Sequence, residues 1–167
     1  EVNIAAFNSD IHFIISGTEE SIIKLHSFLE SKNIESRILH IDFPSHSPLM
    51  NKAVDDLDTV LDCITHNEAE IPVLRNLDCR FTNKGEVLPK SYWKEHLLNP
   101  VRFSEGISGL ASDSNPLLLV EAGPGSVLST FIKNISAAEN KFNAVNVIPH
   151  PKEETEFNRY FYEKIAV

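Results

Sequence analysis

Leu117-Leu118-Leu119-Val120 is an unbroken apolar run, without the alternation of a strand that keeps one wet face. Such a run suits a buried parallel strand, and it is followed by Gly123-Pro124-Gly125 and a helical pattern from Val127 to Lys133. Strand, tight turn and helix in that order are the grammar of an α/β fold. A last short strand over 144–147 precedes Pro149-His150-Pro151 and a polar-aromatic helix from about Glu153, expected to be a solvated amphipathic helix or linker.

The first third reads differently. Ile4-Ala5-Ala6-Phe7 and the run Ile11 to Ile15, broken at Asn8-Ser9-Asp10 and stopped at Ser16-Gly17, predict a hairpin. Thr18 is placed to cap a helix with Glu19 and Glu20 in its first turn, Ile22, Leu25 and Leu29 on its apolar stripe and Asn33 as its stop. Residues 35–41, with Ile38, Leu39 and Ile41, read as a strand ending at Asp42-Phe43-Pro44. The strongest helical pattern follows: Leu49, Met50, Ala53, Val54, Leu57, Val60, Leu61 and Ile64 share a stripe, Asp55, Asp56 and Asp58 point away, and Ser47-Pro48 suits an N-cap followed by an N1 proline. A strand over 71–77, a polar excursion through Asn83-Lys84-Gly85, and helices over 92–98 and 101–110 separated by Asn99-Pro100 lead into the apolar run. The expectation is an α+β first third joined to an α/β remainder, as two subdomains with a boundary between residues 43 and 70.

The chain has 167 residues, 42% hydrophobic and 23% charged, which fits one substantial core and excludes a disordered chain. Fifteen Lys and Arg against 24 Asp and Glu give a net charge of −9 with the acidic residues scattered, a poor field for nucleic acid. No apolar run approaches the ~20 residues of a membrane span, and Glu1-Val2-Asn3 has no signal-peptide character, so a cytoplasmic protein without membrane partners is expected. Cys63 and Cys79 form neither a Cys-x-x-Cys motif nor a disulfide framework and are expected to be reduced.

His46 stands just before the helix of the strong stripe. There the positive end of the dipole disfavours imidazolium, so the ring is expected to be neutral at neutral pH and able to act as a general base. In a chain with seven histidines, a surface or capping role is the competing reading. His40, Asp42 and His46 could be imagined as metal ligands, but their spacing matches no zinc signature, and a solvated strand edge is the preferred reading of the first two. Gly123-Pro124-Gly125 could cradle an anion on backbone amides or be only a tight turn. Tyr92, Trp93 and Phe103 could form an aromatic platform or anchor a core. No G-x-S-x-G occurs, neither cysteine has a basic sequence neighbour, and Ser47 is better used as a cap, so no nucleophile is evident.

Four ordered blocks resemble the malonyl-CoA:acyl carrier protein transacylase family, which includes the acyltransferase domains of modular polyketide synthases. Phe43-Pro44-Ser45-His46-Ser47-Pro48-Leu49-Met50 is similar to the block around that family's catalytic histidine, and Tyr92-Trp93 through Asn99-Pro100-Val101-Arg102-Phe103 to its Y-W…P-V-x-F block. Val120-Glu121-Ala122-Gly123-Pro124-Gly125 through Leu128 resembles its E-x-G-P-x-x-x-L turn, and Asn8 with Ser16-Gly17 its N-S…S-G hairpin.

The resemblance implies part of an α/β-hydrolase-like large subdomain, residues 46–150, plus an incomplete ferredoxin-like small subdomain, residues 1–45, followed by a linker helix over 151–167. It implies ping-pong transfer of a malonyl or related acyl group from a coenzyme A thioester to the phosphopantetheine thiol of an acyl carrier protein in polyketide or fatty acid synthesis, with no bound cofactor. His46 would be the base, the backbone carbonyl of His96 would orient it, and Phe43, Ser45 and Asn8 would contact substrate. The family's serine in G-H-S-x-G, its oxyanion glutamine and its carboxylate-binding arginine have no match here. The chain is therefore expected to be the C-terminal portion of an acyltransferase, inactive without an N-terminal half.

Phe43-Pro44-Ser45-His46 differs from the H-A-F-H of malonyl users and the Y-A-S-H of methylmalonyl users in multimodular synthases. Its P-S-H matches stand-alone malonyl transacylases, which favours malonyl. A non-catalytic docking module of a synthase is the alternative, and a metal hydrolase built on His40, Asp42 and His46 a third. Acyl carrier proteins are usually acidic, so a chain of this charge needs a local cluster of Lys and Arg to meet one.

Overall fold

The computed structural model describes residues 1–111, 117–139 and 141–166, so Val167, the end of the expected linker, lies outside the described residues. The chain forms two compact units, 1–8 with 13–103 and 9–12 with the residues from 104 onward, where the length suggested one core and the two sequence textures two subdomains divided between residues 43 and 70.

Near the start of the chain, β1 (Val2–Ser9) and β2 (His12–Gly17) pair across the turn Asp10-Ile11, short enough only for an antiparallel hairpin. Gly17 is required by space: a Cβ there would lie 2.7 Å from the Glu1 carbonyl oxygen. Helix α1 (Glu19–Ser31) begins where expected, but the Thr18 hydroxyl bonds Ser21 Oγ and only the Thr18 backbone carbonyl serves the helix, accepting from Ile22 N. Asn33, at φ 56°, ends the helical path.

Residues 35–41 form no strand. A segment of strand-forming composition becomes one only when a neighbour pairs with its backbone, and among the described residues 35–41 have no place in the two-stranded sheet of β1 and β2. Ile38, Leu39 and Ile41 stay exposed. The expected strand over 71–77 is likewise reduced to one antiparallel bridge, Leu74 to Phe81. Arg75 shapes that loop, bonding Asp78 at 2.5 Å and Glu86 at 2.8 Å.

The helix expected from residue 48 opens as a 3₁₀ segment, Pro48–Ala53, and becomes α-helical only over α2 (Val54–Asp62). Leu61 is its buried anchor, whereas Val60 and Ile64 remain exposed. Asp58 does not simply face solvent: it pairs at 3.1 Å with Lys94 of α3 (Lys90–Leu98), and Asp62 pairs with Lys90. Asn99-Pro100 stops α3, and Val101 then docks on the edge of β1, exchanging 2.9 Å bonds with Ala5 and Phe7.

All of α4 (Phe103–Ala111) but its first residue belongs to the second unit, and the helix buries Ile107 and Ala111. Here β3 (Leu117–Pro124), α5 (Val127–Lys133) and β4 (Phe142–Ile148) form a β-α-β unit with parallel strands, as the apolar run and its turn predicted. The predicted full burial of that run is not found. Leu118 and Val120 are 53% and 51% exposed, because a parallel strand is covered on both faces only inside a wider sheet with helices on either side, and β4 is the partner of β3 among the described residues. Ile132, Ile135, Ala138 and Val147 make the core. The last helix, α6 (Phe157–Ile165), starts later than Glu153 and packs on β4, where Tyr160 bonds Asn146.

Candidate active site

Pro100 explains the most informative contact in the first unit. In a continuing helix the His96 carbonyl would accept the N–H of residue 100, but proline has none and forces Asn99 into an extended conformation, ψ 157°. Asn99 N and Nδ2 both donate to Glu95 O, leaving His96 O as an orphan acceptor at the helix end. His46 fills it: its Nδ1 lies 2.8 Å from His96 O.

Because a carbonyl only accepts, Nδ1 carries the proton in this bond and Nε2 keeps its lone pair. No hydrogen bond engages Nε2 among the described residues. The His46 and His96 rings meet edge to face at 5.1 Å, and Tyr92 lies 5.9 Å from His96. Burial, and next the neighbouring His46, hold the His96 imidazole below its ordinary pKa of 6.5, so that ring is neutral at neutral pH.

The backbone at His46 is unusual. Its φ of 56° is left-handed, a conformation that costs a non-glycine residue about 1–3 kcal/mol unless its surroundings impose it. Ser16 Oγ on β2 donates to Ser45 O at 2.7 Å, and Ser47 Oγ reaches back to Pro44 O at 2.7 Å. Ser47 therefore does not cap the following helix with its side chain, as its position had suggested, although its carbonyl accepts from Met50 N. Ser16 was legible only as part of the hairpin's Ser-Gly ending; nothing in the sequence joins it to Ser45.

The remaining candidates differ in exposure. Phe43 is 60% exposed, Ser45 is half-buried with its N–H on Phe43 O, and Asn8 is half-buried near the end of β1. His40 and Asp42 are exposed, and no group of three potential metal ligands occurs among the described residues, so His40, Asp42 and His46 do not converge on a metal position. Trp93 is 41% exposed and stacks edge to face on Tyr92, so it anchors no core.

At the Gly123-Pro124-Gly125 turn the amides that might have held an anion are occupied from within. Glu121 accepts from Leu128 N at 3.0 Å, Ser129 N at 2.9 Å and Ser129 Oγ at 2.7 Å. Gly125, at φ 88°, supplies the turn. No described helix is long and apolar enough to cross a membrane.

A model of the acyl transferase domain matches residues 1–167. The malonyl CoA-acyl carrier protein transacylase of Bacillus subtilis is 34% identical over 138 residues, covering 81% of this chain and 42% of that protein. The acyltransferase domain from the second module of the salinomycin polyketide synthase superposes with a TM-score of 0.82 at 26% identity, over 99% of this chain and 37% of that one. A malonyl-transacylase solved in complex with a type II polyketide synthase acyl-carrier protein gives a TM-score of 0.76 at 27% identity, over 89% of this chain and 47% of that one. The chain thus spans less than half the length of these relatives.

Proposed function

The chain belongs to the acyl transferase domain family, and from that premise we propose that it carries the general base of an acyltransferase moving malonyl from a coenzyme A thioester to the phosphopantetheine thiol of an acyl carrier protein. The observation that carries this reading is the bond from His46 Nδ1 to His96 O, which leaves Nε2 as the basic nitrogen. The 167 residues contain no G-H-S-x-G, so the nucleophilic serine comes from another part of the acyltransferase.

Nε2 takes the proton of the serine hydroxyl as its oxygen attacks the thioester carbonyl. The tetrahedral adduct then collapses, the carbon–sulfur bond breaks, and the coenzyme A sulfur leaves with the proton returned from Nε2. In the second half the carrier's thiol gives its proton to Nε2 and attacks the serine ester; the serine oxygen leaves and recovers that proton. A backbone carbonyl fixes the tautomer as a triad carboxylate would, without a full negative charge. Its place at the C-terminal end of α3 sets partial negative charge against the proton that His46 acquires. The neutral neighbour His96 adds no repulsion.

Phe43 and Ser45, beside the base in sequence, and Asn8 on β1 are assigned to the acyl and pantetheine path. The P-S-H sequence at 44–46 favours malonyl as the group carried. Residues 1–45 are read as part of a ferredoxin-like small subdomain and 46–150 as part of an α/β-hydrolase-like large one. Intact-mass spectrometry after incubation with malonyl-CoA tests the reading. The expected result is one malonyl group on a serine-bearing polypeptide and none on the 167-residue chain alone; acylation or turnover by this chain alone contradicts it. The docking-module alternative predicts carrier binding with no acyl group gained at all.

A further inference from the structure

Ser16 and Ser47 are 9% and 0% exposed, and each has one short bond, to the carbonyl of Ser45 and of Pro44 respectively. Those two carbonyls belong to the consecutive peptide groups that lead into His46. A residue's φ is the rotation of its Cα relative to the peptide before it, so fixing the Ser45 carbonyl fixes the reference for the 56° at His46. Ser16 ties that carbonyl to β2, while the Ser47 hydroxyl, from the residue after His46, ties down the Pro44 carbonyl of the peptide before it. A buried hydroxyl satisfied only by such a carbonyl holds its geometry firmly, because releasing it leaves both groups unpaired.

We propose that Ser16 and Ser47 are positioning residues for His46, clamping its left-handed backbone so that the ring reaches His96 O and aims Nε2 outward. This rests on the reading of His46 as the base. Without either hydroxyl, His46 relaxes toward negative φ, its Cβ swings, and Nε2 leaves its line to the reacting oxygen.

The test compares Ser16→Ala, Ser47→Ala and His46→Ala in the complete acyltransferase, with histidine-ring nitrogen NMR as a readout independent of turnover. Each serine variant is expected to lower kcat for malonyl transfer by about 10- to 100-fold, the scale of a misplacement near 1 Å, with KM for malonyl-CoA within about twofold. Ser16→Thr, which keeps the hydroxyl, is expected to recover most of the loss. The His46 ring should lose its single Nδ1–H tautomer in both alanine variants. If Ser47→Ala does not fold, Ser16→Ala with its threonine rescue decides alone. An inactive His46→Ala beside serine variants of parental kcat, or an unchanged His46 ring signal, overturns the clamp while leaving the base assignment standing. Full activity in His46→Ala overturns the assignment and the clamp with it.

Discussion

At the scale of single residues, two histidines that meet face opposite demands. In the proposed role His46 exchanges a proton, whereas His96 lends only its backbone carbonyl and keeps a ring that burial holds neutral. Because the folded pKa of His96 lies below 6.5, the unfolded chain binds the proton more readily, and stability present above about pH 6.5 is lost as the pH falls toward the folded value. Thermal unfolding from pH 7.5 to pH 5 should therefore show a decline in Tm that His96→Gln reduces; an equal decline in that variant contradicts the assignment. His46 was legible in the sequence from its place before Ser47-Pro48. Its left-handed backbone was not, because the bonds that impose it come from Ser16 on a distant strand and from a serine whose position suggested a cap.

At the scale of elements, helix ends hold both the His46 contact and part of the stability. Pro100 frees the carbonyl that His46 uses, so Pro100→Ala supplies an N–H that competes for His96 O and lets α3 run on. We expect kcat to fall at least several-fold while α3 is retained by circular dichroism; unchanged kcat contradicts the argument. At α5, burial raises the Glu121 carboxyl, but the Ser129 and Leu128 donors outweigh it and hold the pKa below 4.5. The resulting stability is present above about pH 4.5 and lost as the pH falls through the lower folded value. Glu121→Ala should cost about 1 kcal/mol, as loss of a helix cap does, and flatten the acid limb of the unfolding curve; an unchanged Tm contradicts this. Helix α5 matched its predicted bounds because Gly125 and the stripe mark it locally. Residues 35–41 and 71–77 did not become strands because strands depend on partners that local pattern cannot reveal.

At the scale of the whole molecule, the chain spans less than half of its relatives and keeps Leu118 and Val120 of an apolar strand half exposed. The four motif blocks carried the family, while composition alone yielded only an acidic α/β chain. We propose that His46 Nε2 moves the proton in both half-reactions. The most direct measurement is the rate of malonyl loading in His46→Ala of the complete acyltransferase, followed by intact mass at saturating malonyl-CoA. Loss of a general base predicts a rate lower by about 10²- to 10⁴-fold with the fold intact; loading within a few-fold of the parent contradicts that role for His46.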